Sequence, residues 1–167
     1  MLGAFFSIFA SEPAQIGLVL NMMSAAASAF TILFMFWSIV LLLQKITTKE
    51  SESNTNKQTA ILGAAFVGSL SFAFTDSFWF NAVETEVYAM ATLIMAVMFY
   101  LGLRWEKEMN TPRGNRWLIL ISFIVGLSFG VHFMGLLTIP AIGLLYYFKN
   151  YKTITPKNFI LANIVVV

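Results

Sequence analysis

Residues 117–148, WLILISFIVGLSFGVHFMGLLTIPAIGLLYYF, pass without one Asp, Glu, Lys or Arg, and the number of times this stretch crosses a bilayer decides the fold. A straight helix of about 32 residues would be about 48 Å long, well beyond a hydrocarbon core of about 30 Å. Gly130, His132, Gly135 and Pro140 interrupt the run and predict two short helices, Trp117 to about Val131 and about Met134 to Phe148. The charges around it point the same way. The 10 Lys and Arg fall in three clusters, Lys45 with Lys49 and Lys57, Arg104 with Lys107, Arg113 and Arg116, and Lys149 with Lys152 and Lys157. Only if the stretch turns back does the last cluster join the other two on one side. By the positive-inside rule that side is cytoplasmic, which turns the amino terminus, the Asp76–Glu86 turn and the His132 turn outward.

Outward from this stretch, uncharged runs mark further helices over 16–43 and 59–75 and an incomplete one over 159–167, and another helix, 83–103, begins around Val83 to Val87 and ends at Leu103. Of 167 residues 59% are hydrophobic and 11% charged, against roughly 45 to 50% and about 25% in a soluble domain. A mean hydropathy of +0.79 with 17 Phe and 9 Met needs lipid to cover the apolar surface. The expectation is an all-α, polytopic transmembrane helical bundle of about five spans plus the start of a sixth, with residues 1–167 as one transmembrane domain. The absence of Cys excludes disulfides and thiolate chemistry, and a net charge of +2 gives no reason to expect nucleic acid.

Local signals fill in this frame. Met1–Ala10 lacks a basic leader and does not read as a signal peptide. Ser11, Glu12 and Pro13 suit a helix start, with the Ser side chain as cap. Trp105, Trp117, Tyr146 and Tyr147 fall at one expected interface and Phe78, Trp79 and Phe80 at the other. Small residues recur at helical spacing in Gly17, Asn21, Ser24 and Ser28, in Ala64, Gly68, Ser71 and Thr75, and in Gly126 and Gly130, and these faces are expected to be bundle contacts. Residues 45–58 read as a polar connector.

Candidate chemistry concentrates between Thr75 and Tyr88, where Asp76, Glu84 and Glu86 supply three of the 8 acids and aromatic residues lie between them. Were the chain helical from Val83, Glu84 and Tyr88 would share a face and Glu86 would point away, so that one glutamate faced the bundle. Such a carboxylate at an outward cavity could serve as a general base, with Trp79 and Tyr88 against a sugar or lipid; equally, the acids could be solvated loop charges. His132, the single histidine, sits between two short helices, either lining a cavity or satisfied by a backbone carbonyl. One His with scattered acids does not indicate a metal site.

Residues 76–89, DSFWFNAVETEVYA, followed by residues 126–133, GLSFGVHF, resemble a bacterial membrane family long catalogued as a domain of unknown function. Residues 2–9, LGAFFSIF, through residues 21–25, NMMSA, look like that family's entry into its second span. The family is similar to the eukaryotic transmembrane O-mannosyltransferases acting on plexin-type receptor domains and groups with the GT-C glycosyltransferases. The resemblance implies transfer of a sugar from a polyprenyl-phosphate donor, without bound nucleotide, to a protein or glycan acceptor on the outer face of a membrane, here a bacterial inner membrane. It also implies a catalytic acid and a His-Pro-Pro-Gly motif upstream of Met1, so that this chain is a fragment that would be inactive alone. Trp79, Glu84, Glu86, Tyr88 and His132 match the family pattern. Glu86 and Glu84 are therefore the catalytic candidates, and Asp76, Trp79, Tyr88 and His132 the substrate-binding ones. Two other readings stay open, a transporter fragment with an outward proton or ion site and a structural membrane module.

Overall fold

A computed structural model of the chain describes residues 2–47, 55–151 and 154–166, all of its regular structure helical. Lys49, Lys152 and much of the 45–58 connector lie outside those residues. The chain divides into two compact units, Met1–Leu93 and Ile94–Val167.

In the first unit, α1 (Leu2–Phe6) and a 3-10 turn (Ser7–Phe9) precede a second 3-10 turn (Pro13–Gln15), which runs into α2 (Ile16–Thr47). Pro13 occupies the first turn, where its missing N–H costs nothing. The side-chain contact there comes from Gln15 rather than from the Ser11 hydroxyl, since Gln15 Oε1 accepts from the Ser11 N–H at 3.2 Å. After α2 come α3 (Thr55–Ala73), α4 (Asp76–Val83) and the first residues of α5 (Val87–Glu108). Helix α2 packs against α3 and α4. It buries Ser24, Ala27, Ser28 and Thr31, small residues that let helix backbones approach closely. The Thr31 and Ser38 hydroxyls donate to the carbonyls of Ala27 and Phe34, which satisfies them inside the helix. On α3 the buried residues are Ile61, Ala65 and Ser69.

The small-residue faces need correction. Ser24 and Ser28 are buried as expected, but Gly17, Ala64, Gly68, Ser71 and Thr75 are exposed, as are Gly126 and Gly130. On α3 the buried stripe lies one position along from the one proposed, a rotation of about 100°. A helix that is apolar all round carries no amphipathic signal to say which of its stripes meets a neighbour.

The second unit contains the remainder of α5, α6 (Gly114–Ser128), a 3-10 segment (Phe133–Thr138), α7 (Ile139–Asn150) and α8 (Pro156–Val166). Its core is Met98, Leu101 and Trp105 of α5 with Ile121 of α6 and Ile142 of α7. Gly102 allows the α5–α7 approach, because a Cβ there would stand 2.8 Å from Ile142 Cγ1. The uncharged run of residues 117–148 does break and return. Lys149 Nζ, at the end of α7, lies 3.1 Å from Glu106 Oε1 at the end of α5, and Trp105 stacks on Tyr146 at 6.0 Å. The second basic cluster and Lys149 therefore share one end of this unit.

The expected number of spans is too high. Among the described residues two helices are long and apolar enough to cross a membrane, Pro13–Thr47 and Val87–Glu108. A third crossing results if Thr55–Ala73 and Asp76–Val83, bent by 67°, form one broken span. Helices α6 and α7 have 15 and 12 residues, about 22 and 18 Å of rise against the roughly 30 Å of hydrocarbon. Helices had been expected over 16–43, 59–75, 83–103, 117–131, 134–148 and 159–167. They fall instead at Ile16–Thr47, Thr55–Ala73, Val87–Glu108, Gly114–Ser128, Ile139–Asn150 and Pro156–Val166, with Asp76–Val83 as a helix not anticipated.

Candidate functional site

The acid-rich turn is built from α4 and the break that follows it. Thr75 leaves α3 in extended backbone, its hydroxyl donating to the Phe72 carbonyl at 2.8 Å, and the Trp79 N–H bonds back to the Thr75 carbonyl at 2.9 Å. One face of α4 is anchored by buried Phe78, whose ring lies 4.8 Å from that of Phe72. The next residue round the helix points away. Trp79 is 53% exposed and stacks at 5.7 Å on Phe74, leaving an aromatic face open.

Val83 does not continue into α5, which corrects the helical geometry expected for the two glutamates. Glu84 closes α4 in extended conformation, its N–H bonding to the Phe80 carbonyl at 3.1 Å, and the Glu86 N–H bonds to the Glu84 carbonyl at 3.0 Å around Thr85. That tight turn is pinned to α2, since the Thr85 hydroxyl donates to Asn21 Oδ1. Glu84 and Tyr88 therefore do not share a helical face. Asp76, Glu84, Glu86 and Tyr88 are all exposed, and neither glutamate is buried in the bundle. The turn thus presents three carboxylates, the Trp79 face and Tyr88 from one short, internally bonded segment, an arrangement able to accept hydrogen bonds from hydroxyl groups and to cover an apolar sugar face.

His132 belongs to the second unit. It is the N-cap of Phe133–Thr138, in extended backbone, and its Nδ1 accepts from the Met134 N–H at 3.1 Å. The ring therefore accepts from a backbone amide, a contact that neither the cavity-lining nor the carbonyl-bonded reading anticipated. Gly135 lies close beneath, where a Cβ would meet Ile94 Cγ2 and Ser128 Cβ at 3.0 Å.

A second polar cluster, not singled out from the sequence, forms where α5 turns into α6. Glu108 Oε1 lies 3.5 Å from Arg104, and its Oε2 lies 3.4 Å from Arg116 and accepts from Trp117 Nε1 at 3.0 Å. The Arg104–Glu108 spacing was visible as an i, i+4 pair, but the tight turn that brings Arg116 and Trp117 back was not. Among the described residues no group of three His, Cys, Asp or Glu side chains could hold a metal ion.

A family model described as the protein O-mannosyl-transferase TMEM260 N-terminal domain matches residues 1–155. Neither curated proteins nor solved structures give a match to the chain.

Proposed function

This chain belongs to the protein O-mannosyl-transferase TMEM260 N-terminal domain family, and from that membership we propose that it is part of a membrane glycosyltransferase moving a sugar from a polyprenyl-phosphate donor to a protein or glycan acceptor on the outer face. The family match carries this reading. In such a transfer an acceptor hydroxyl oxygen attacks the anomeric carbon, the bond from that carbon to the carrier phosphate breaks with its electron pair, and the hydroxyl proton passes to a carboxylate. Carboxylates that can approach an acceptor are Glu84 and Glu86, with Asp76 and Tyr88 as hydrogen-bonding groups and Trp79 as the surface for the sugar's apolar face. His132 is kept as a substrate-binding candidate in the break before Phe133–Thr138. No Lys or Arg lies between Lys57 and Arg104, so cationic stabilisation of the departing phosphate has to come from outside this turn.

The exposed position of the acids at a helix break suits a substrate-facing site better than a mid-membrane ion relay, which favours the enzyme over the transporter reading. Glu86 is the first choice for a base because it directly precedes α5 in a turn held by hydrogen bonds to Glu84 and, through Thr85, to Asn21. In the full-length protein assayed with polyprenyl-phosphate mannose, Glu86→Gln keeps size while removing the proton acceptor. Turnover should fall by about a hundredfold or more at unchanged expression. Wild-type turnover in both Glu86→Gln and Glu84→Gln would take the catalytic role away from this turn.

A further inference from the structure

Where α5, α6 and α7 end or begin together in the second unit, Arg104, Lys107, Arg113, Arg116 and Lys149 stand against only two acids, Glu106 and Glu108. Glu106 is buried and engaged by Lys149 at 3.1 Å. Glu108 divides its two oxygens between guanidiniums at 3.5 and 3.4 Å, the long end of an ion pair. Each guanidinium carries five N–H donors, so both retain capacity for another acceptor, and Arg104 Nε is buried with no hydrogen-bond partner among the described residues. Lys107 and Arg113 are exposed and form no ion pair with an acid among the described residues.

The arginines are held in place rather than loose. Their guanidinium carbons lie 5.1 Å (Arg104) and 5.7 Å (Arg116) from the Trp117 ring centroid. The connecting turn is closed by the Gly114 N–H on the Thr111 carbonyl at 3.0 Å and by the Thr111 hydroxyl on the Glu108 carbonyl at 2.8 Å. Only glycine fits at 114, since a Cβ there would stand 2.7 Å from the Glu108 carbonyl oxygen. Directly beyond Arg116 on α6, Ile119 and Phe123 are 71% and 61% exposed. Cations at a helix end followed by exposed apolar side chains on the same helix complement an amphiphile with an anionic head and a hydrocarbon tail; a small soluble anion would use only the first part.

We infer that this end of the second unit is a binding site for the headgroup phosphate of an anionic phospholipid, with Arg104 and Arg116 as phosphate donors, Lys107 and Arg113 adding charge, and the acyl chains running along Ile119 and Phe123. The inference is independent of which sugar the protein transfers. Lipid titration of the purified full-length protein, read by native mass spectrometry, tests it. Phosphatidylglycerol should bind more tightly than phosphatidylcholine, and the double variant Lys107→Gln, Arg113→Gln should weaken phosphatidylglycerol about twenty-fivefold, at roughly fivefold per cation. Lys157→Gln removes a charge elsewhere and should leave the affinity unchanged. Both positions of the double variant are exposed, and helical circular dichroism equal to wild type establishes that it folds. Equal binding of the two lipids, undiminished binding by the folded double variant, or displacement of the lipid by millimolar inorganic phosphate would each overturn the assignment.

Discussion

At His132 a single hydrogen bond does the work of a helix cap. Its Nδ1 takes the Met134 N–H at 3.1 Å, an amide at the start of the 3-10 segment that no backbone carbonyl reaches. Loss of a side-chain cap costs about 1 kcal/mol, so His132→Ala should lower the unfolding midpoint of the detergent-purified protein. Asn can accept from the same amide, and His132→Asn should restore most of the loss. Equal midpoints for wild type and the Ala variant would show that the cap contributes nothing. The chemistry of this residue was only half legible from the sequence. Its position in a break followed from the glycines and Pro140 around it, but that the ring accepts from the Met134 amide depends on the extended backbone of residue 132, which composition does not encode. The same holds for Glu84 and Glu86, whose acid–aromatic neighbourhood is plain in the sequence. Their exposure depends on the helix stopping at Val83, where no Gly or Pro announces a stop.

Helix ends and faces divide by how strongly local chemistry dictates them. The break within residues 117–148 was readable because Gly, His and Pro accumulate there, and Pro140 indeed sits in the first turn of α7, where a missing N–H is harmless. The end of α6 came earlier than expected, at Ser128. The N–H groups of Val131 and His132 both turn back onto the Ser128 carbonyl and Gly130 onto that of Leu127. Which glycines matter could not be read from spacing, because these helices are apolar on every side, and two glycines of this region make opposite predictions. Gly135→Ala places a Cβ 3.0 Å from Ile94 and Ser128 side-chain atoms and should cost about 1–2 kcal/mol through overpacking. Gly126→Ala, inside α6 with nothing within 4 Å of the new Cβ, should instead gain about 1 kcal/mol of helix propensity. Thermal unfolding of both variants in one detergent measures the pair, and a stabilised Gly135→Ala would contradict the close packing described for the break.

For the molecule as a whole, the segregation of Lys and Arg and the return of α7 make one joint prediction about topology. The Lys149–Glu106 ion pair places the end of α7 beside the end of α5, so the chain returns through α6 and α7 to the end of the second unit where α5 stops, and neither helix is long enough to span alone. The break between these two short helices is covered by protein, since the Phe133–Thr138 segment packs on α6 and α7. Single cysteines in this Cys-free chain can follow its path. With the basic loops cytoplasmic, a membrane-impermeant maleimide applied to intact cells should label Asn81→Cys. It should spare Asn110→Cys and also Ser53→Cys, whose position lies outside the described residues. Tyr151→Cys, just past α7 and 54% exposed, discriminates most sharply. If residues 117–148 crossed once, it would label with Asn81→Cys; because they turn back, it must stay protected with Asn110→Cys until the membrane is permeabilised. Labelling of Tyr151→Cys and Asn110→Cys from opposite sides would contradict the packing of the second unit. Labelling of both from outside would keep that packing and reverse the orientation, moving the acid-rich turn to the cytoplasmic face and away from an outer-face acceptor.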